Sequence, residues 1–201
     1  MENPALNELV RRIDPYFAFV EVSILRQESG FVLCHQEDRG LDEASLRILP
    51  LPELRHLAMF TREGIFRPLR FAPGLQKGWR LRVSSENELA EALWLIYPGA
   101  LGDWLAGLSE KPPITHFREH AARQTGRLAS NQSATYSQLM EVICRICDAN
   151  HCLKRRLWTV AGLNGESAGT KSCVPCFEPC AWLVEALKKH VGKNGPGQPA
   201  D

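Results

Sequence analysis

Two short segments, CRICDANHC at residues 144–152 and CVPCFEPC at residues 173–180, contain six of the seven cysteines of this 201-residue chain. Their spacings are Cys144-x2-Cys147-x4-Cys152 and Cys173-x2-Cys176-x3-Cys180. The amino-terminal sequence shows no apolar signal segment, so we expect a reducing, cytoplasmic location, where clustered cysteines bind metal rather than form disulfides. The two segments therefore predict a metal site that closes the carboxyl-terminal part of the fold.

Thiolate ligands favour either zinc or an iron–sulfur group, because both prefer soft sulfur donors. The two C-x2-C pairs are separated by 25 residues, a longer gap than is usual for a four-cysteine zinc ribbon. The extra cysteine in each segment fits a [4Fe–4S] cluster at least as well, since distant segments often contribute ligands to that bulky group. Spacing alone leaves both metals open.

The composition excludes several function classes. With 44% hydrophobic and 23% charged residues the chain is an ordinary globular protein, and its formal net charge is only +1. A strong field for nucleic acid or an anionic membrane is therefore absent. The longest uncharged apolar run, residues 92–101, is much shorter than the roughly 20 residues that cross a bilayer. We expect neither nucleic acid nor a membrane as a partner.

Residues 1–110 are predicted to form an α+β supporting domain. A β-hairpin is expected over residues 17–38, with FAFVEVSIL as its first strand and a turn at residues 27–30. A helix capped by Ser84 or Ser85 is expected next: Ser85-x-x-Glu88 has the spacing of a capping box, and Pro98-Gly99 interrupts the helix. The remaining predicted elements are strands over 46–49, 64–70 and 78–83, a helix over 52–60 and a second helical stretch to residue 108.

Residues 111–191 are predicted to form a mostly helical, cysteine-rich cluster-binding domain. Helices are expected over residues 114–127 and 133–149, and from about Pro179 onward. Residues 162–170 are expected to be a flexible connection, and residues 192–201, rich in Gly and Pro, a disordered tail. The predicted fold class is thus α+β: a small mixed or antiparallel sheet with helices, followed by a mostly helical region.

A stripe of cations lies between residues 65 and 83, where no acidic residue occurs. Guanidinium groups bind carboxylates and phosphates in a forked geometry, so the stripe is a candidate anion site. The alternative is an exposed strand face whose long side chains cover apolar neighbours. The members of this cationic stripe are Arg67, Arg70, Lys77, Arg80 and Arg82.

Five stretches of the chain carry a family resemblance. Residues 61–79, TREGIFRPLRFAPGLQKGW, resemble the "YRPL…APNL..GW" segment of a domain found with CbiX-type sirohydrochlorin cobaltochelatases. Tyr97-Pro98 and RQTG at 123–126 resemble the "YP…RQTG" elements of the same region. CLKRRLW at 152–158 and PCFEPC at 175–180 resemble its "CLK..LW" and "PC..PC" motifs. The similarity as a whole covers roughly residues 17–190.

The resemblance implies a [4Fe–4S] cluster carried behind a supporting α+β domain. Cys152, Cys176 and Cys180 fall directly on the motifs; Cys147 is the implied fourth ligand, with Cys144 as its alternate and Cys173 as a spare. It implies a role beside metal insertion into sirohydrochlorin, in cobalamin biosynthesis, by electron transfer or partner binding. The partner would be a separate chelatase, a redox protein or a carboxylated tetrapyrrole bound by the cationic stripe.

The chain shows no counterpart of the chelatase module, so we expect no stand-alone enzyme and predict no catalytic residue. The alternative hypothesis is a structural four-cysteine zinc protein that acts as a partner-binding module.

Overall fold

Five strands form one mixed sheet in the computed structural model, which describes residues 3–66, 74–109, 112–147, 152–161 and 175–194. The strands are β1 (Tyr16–Phe19), β2 (Val22–Gln27), β3 (Gly30–His35), β4 (Arg47–Ile48) and β5 (Trp79–Val83). Their order across the sheet is β1-β2-β3-β5-β4. All neighbours are antiparallel except β4 and β5, which are parallel.

The predicted first strand of the hairpin is wrong, because it is two strands. β1 and β2 are joined by a two-residue turn, with Phe19 opposite Val22 in the register. Val20 adopts a positive φ of 58° in this turn, which carries no Gly, Asn or Pro. The turn therefore has no local sequence signal. The expected turn before β3 is confirmed by the pairing of Gln27 with Gly30.

Four helices pack with this sheet around the larger hydrophobic core. The predicted helix after Ser85 is confirmed: the Ser85 hydroxyl accepts the Glu88 N–H at 3.3 Å. Trp79 from β5 and Trp104 are both fully buried in this core. The helices are α1 (Pro4–Arg12), α2 (Glu53–Met59), α3 (Glu86–Ile96) and α4 (Ala100–Leu108).

A second, smaller hydrophobic core forms in the carboxyl-terminal part. Phe117, Leu139 and Leu187 belong to it, and α6 packs along α8. The elements of this part are β6 (Thr115–His116), α5 (Phe117–Ala122), a 3-10 helix (Gly126–Ser133), α6 (Tyr136–Ile146), α7 (Leu153–Val160), β7 (Pro175–Cys176) and α8 (Ala181–Asn194). The mixed sheet with helices and the mostly helical second part confirm the predicted α+β class.

Helix α7 connects the two cores. Its Leu153 and Leu157 are buried in the larger core, where α7 packs against α4. The neighbouring helices α6 and α8 belong to the smaller core. Cys147 and Cys180 pack against the smaller core, whereas Cys152 immediately precedes α7, so these cysteines lie where the two cores meet.

Two further expectations differ from the structure. The predicted helix over 114–127 is only α5, because residues 115–116 pair with β7 and a 3-10 helix begins at Gly126. The predicted tail begins too early, since α8 continues through Asn194. The predicted connection at 162–170 and most of the predicted strand at 64–70 lie outside the described residues.

Candidate metal centre

Four of the predicted ligands line one small cavity. Cys147 immediately follows α6, Cys152 immediately precedes α7, Cys176 lies in β7, and Cys180 immediately precedes α8. All four are half-buried. The cavity they share has a volume of about 50 Å³, and its wall is completed by Ile146, Lys154, Glu178 and Leu183.

Helix ends position three of these cysteines. The N–H of Cys147 donates to the Ile143 carbonyl at 2.7 Å and so closes the last turn of α6. The carbonyls of Cys152 and Cys180 accept the first helical hydrogen bonds of α7 and α8, at 3.1 and 3.2 Å. Both residues thus lie at helix amino termini, where the partial positive charge of the backbone N–H groups favours an anionic sulfur.

A short β-ladder positions the fourth. Cys176 pairs with Thr115 across the two-stranded β6–β7 sheet. Its thiol donates to the carbonyl of Glu178 at 3.3 Å, which tightens the loop that leads to Cys180. Four separate backbone segments therefore bring the four cysteine side chains to one cavity.

The cavity disfavours free thiolates unless a cation accompanies them. Burial, and to a smaller extent the neighbouring Cys152, Cys176 and Cys180, raises the pKa of Cys147 to about 12. Burial also raises the pKa of Cys176, against a weaker opposing effect of the Lys154 ammonium. A bound cationic group would remove this repulsion, because metal ligation requires and stabilises the deprotonated sulfur. The donor set and its charge therefore fit a thiolate-bound metal centre.

Lys154 connects the parts of the site. Its ammonium lies 3.7 Å from Asp103 of α4 and 3.9 Å from the Glu178 carboxylate, and it donates to the Glu178 carbonyl at 3.5 Å. Burial raises the pKa of Asp103. Asp103 is 51 residues away from Lys154 in the sequence, and no local pattern indicated this contact.

The other cysteines are not at the cavity within the described residues. Cys144 is exposed on α6, and Cys173 lies outside the described residues. Cys34 is buried on β3, as expected of a small apolar side chain, and burial raises its pKa.

The described members of the cationic stripe all have carboxylate partners. Lys77 pairs with Glu37, and both Arg80 and Arg82 pair with Glu43, the latter at 2.6 Å. Arg67 and Arg70 lie outside the described residues. An anion would have to displace these carboxylates. The ion pairs of the described cations therefore support the interpretation of a strand face without a preformed anion site.

The described part of the chain lacks both a single-ion metal site and a membrane-spanning helix. No three His, Cys, Asp or Glu side chains in it are arranged to hold a single metal ion. None of its helices is both long and apolar enough to cross a lipid bilayer.

Known families match both parts of the chain. The family described as the DR2241 stabilising domain matches residues 5–107, about half of the chain. The chain belongs to this family. A second family, described as a 4Fe-4S iron-sulfur cluster binding domain, matches residues 109–189, which include all six clustered cysteines. The carboxyl-terminal part is thus an iron–sulfur cluster-binding domain.

A solved structure is similar over nearly the whole chain. It is DR2241 from Deinococcus radiodurans, 32% identical, with a TM-score of 0.72 over 94% of this chain. Its description is a multi-domain protein with structural similarity to chelatases and two additional novel domains. The present chain spans 40% of that protein's length. No functionally curated protein is significantly similar. These matches confirm the resemblance to the iron–sulfur and supporting regions of chelatase-like proteins.

Proposed function

We propose that Cys147, Cys152, Cys176 and Cys180 hold a [4Fe–4S] cluster. The observation that carries this assignment is their convergence on one cavity from four separate backbone segments. The iron–sulfur family match over the same residues supports it. Cys144, the alternate ligand suggested by the sequence, is exposed on the helix and does not line the cavity.

The zinc alternative has less support. In a tetrahedral zinc site each sulfur lies about 2.3 Å from one ion, so the four sulfurs leave no cavity between them. The four cysteines here surround a cavity of about 50 Å³. No three His, Cys, Asp or Glu side chains among the described residues are arranged to hold a single ion, and this favours a polynuclear group.

When bound, the cluster would supply a one-electron redox centre. The chain's own residues prepare the site for it. Ile146 and Leu183 exclude water from the wall of the cavity. Lys154 and Arg155 place positive charge where it lowers the pKa of buried thiols. The link from Lys154 to Asp103 fixes α7 against α4, so cluster binding would also stabilise the contact between the two cores.

We further propose that the protein assists metal insertion into a tetrapyrrole of the sirohydrochlorin type, as an electron-transfer or docking accessory to a chelatase in the cytoplasm. The sequence resemblance to cobaltochelatase-associated domains supports this role. The chelatase-like character described for DR2241 is consistent with it. Neither family description that matches the present chain names a chelatase, so catalysis of insertion is assigned to the partner.

Single Cys→Ser variants test the ligand set. Cys147→Ser, Cys152→Ser, Cys176→Ser and Cys180→Ser should each lose most of the iron of the anaerobically purified protein, because each removes one of four ligands. Cys144→Ser is the matched control for Cys147→Ser, since Cys144 lies on the last turn of α6 and Cys147 is the residue that caps it. Full iron in Cys147→Ser together with loss in Cys144→Ser would contradict the assignment.

A reconstituted insertion assay tests the role. A purified CbiX-type cobaltochelatase is given sirohydrochlorin and Co²⁺ under anaerobic conditions, with and without the iron-loaded protein. We expect binding to the chelatase and a changed rate of cobalt insertion. Neither binding nor any change in rate would contradict the accessory role while leaving the cluster assignment intact.

A further inference from the structure

A groove lies directly beside the cysteine cavity, bounded by the end of α6 and by α8. Its volume is about 730 Å³, and its apolar floor is formed by Ile146, Ala181, Trp182 and Ala186. Trp182 is 42% exposed, which is unusual for so large an apolar side chain. Ile146 lines both this α6–α8 groove and the cysteine cavity, so one side chain separates the two.

The rim of the α6–α8 groove carries uncompensated positive charge. Arg145, Lys189 and Lys193 line it and have no ion-pair partner among the described residues. The carboxylate in the described lining, Glu185, is already paired with Arg127 at 2.5 Å. The cationic stripe differs, because its described members are neutralised by carboxylates. With a net charge of only +1 for the whole chain, this excess is local.

An apolar floor with an exposed tryptophan and a charged rim is typical of a protein-binding surface. Tryptophan is among the residues that most often dominate interface energies, and rim charges steer a partner of opposite sign. The charge of this rim selects an acidic partner. A basic protein, or a second copy presenting the same surface, would be repelled.

Two residues of the groove are close in sequence to two of the proposed cluster ligands. Trp182 is the second residue after Cys180, and Ile146 immediately precedes Cys147. A partner bound to the apolar floor of the groove would therefore lie next to the residues that adjoin Cys147 and Cys180, close to the proposed cluster. That placement suits electron exchange, which needs short distances but no bond between the partners.

We propose that the α6–α8 groove is the docking surface of a small acidic one-electron carrier protein. The inference rests on the proposed cluster. In the step it serves, the carrier's reduced centre loses one electron and the cluster gains it; no proton moves and no bond is made or broken. The groove binds the carrier through Trp182 and orients it through Arg145, Lys189 and Lys193.

The test measures binding and electron transfer with one probe, a purified acidic plant-type [2Fe–2S] ferredoxin. Iron-loaded protein should bind it with an affinity that falls as salt rises, and should be reduced by its reduced form. The double variant Lys189→Glu/Lys193→Glu should weaken binding about tenfold or more at low salt. Trp182→Ala should weaken it about tenfold with unchanged iron content.

The control is Arg47→Glu/Arg62→Glu, which makes the same change in net charge at exposed positions near β4. It should bind the ferredoxin as the wild type does. Iron-replete protein whose binding is unaffected by the groove variants, or equally weakened in the control, overturns the inference alone. So does binding of the chelatase but not of the ferredoxin at this groove. Protein that contains no iron overturns the proposed cluster and this inference together.

Discussion

Replacing the buried carboxylate of Glu21 by an amide, Glu21→Gln, is expected to destabilise the fold strongly. Glu21 is only 6% exposed in the turn between β1 and β2. Its Oε1 accepts the N–H groups of Gly74 at 2.7 Å and Leu75 at 3.3 Å, and its Oε2 accepts the Tyr97 hydroxyl at 2.9 Å. The His35 Nε2 lies 3.9 Å from Oε1. The Glu21 side chain thus holds the turn between β1 and β2, which has no turn residue, and also the backbone at residues 74–75 of the segment that resembles the cobaltochelatase-associated domain.

The expected magnitude comes from the pKa of this carboxyl. Burial alone would raise it, but His35, the backbone N–H groups and the Tyr97 hydroxyl together lower it from 4.5 to about 2. That difference corresponds to about 3 kcal/mol of the free energy of unfolding. Because the pKa is lower in the folded state, this stability is complete above pH 4.5 and is lost as the pH falls toward 2. About 1.4 kcal/mol remains at pH 3.

Urea unfolding measures the difference, with the fluorescence of the fully buried Trp79 and Trp104 as the signal. Glu21→Gln should lose about 3 kcal/mol at pH 7 and less than half of that at pH 3. Any acid-induced loss of metal is common to both proteins and cancels. Glu28→Gln, at an exposed position, is the matched control. A change below about 0.5 kcal/mol at pH 7, or a change independent of pH, would refute the reasoning.

Three further substitutions test separate features. Gly30→Ala should lower the free energy of unfolding by about 3 kcal/mol or more, because the φ of Gly30 is +134° and an added Cβ would lie 2.2 Å from the Val83 carbonyl oxygen of β5. The control is Gly40→Ala, where the added Cβ has open space, and this variant should melt at the same temperature as the wild type. Thr135→Ala removes the capping box of α6 and should lower the free energy of unfolding by about 1 kcal/mol. An equal decrease in the exposed Ser137→Ala would argue against a cap effect. Lys154→Gln should release iron to a chelator several-fold faster, because it cuts the link between α7 and α4; an unchanged rate would show that the link does not hold the site.

The elements that sequence reasoning located have local causes. The helix from Glu86 was predicted from a serine cap at Ser84 or Ser85, and the structure confirms the helix with Ser85 as its cap. Strand β5 and helix α2 follow from alternation and from a proline at the helix start. The cysteine spacing and the motif resemblance named four ligands, and the structure brings those four together; their role as ligands remains a prediction.

The features that sequence reasoning missed depend on distant contacts. The turn at Val20 and Glu21 has no turn residue, and partners more than 50 residues away hold it. Residues 115–116 were expected to be helical but pair with β7 instead, since Pro175 and Cys176 lie opposite them. The packing of α7 on the larger core depends on Leu153 and Leu157 meeting α4. A short stretch of sequence does not show against which of the two cores an apolar helix face will pack.

Iron and sulfide analysis of the anaerobically purified wild-type protein, with a visible spectrum before and after dithionite, tests the central claim most directly. The proposed site predicts about four irons and four sulfides per chain and a broad visible band that bleaches on reduction. One zinc per chain, with no iron and no colour, would contradict it.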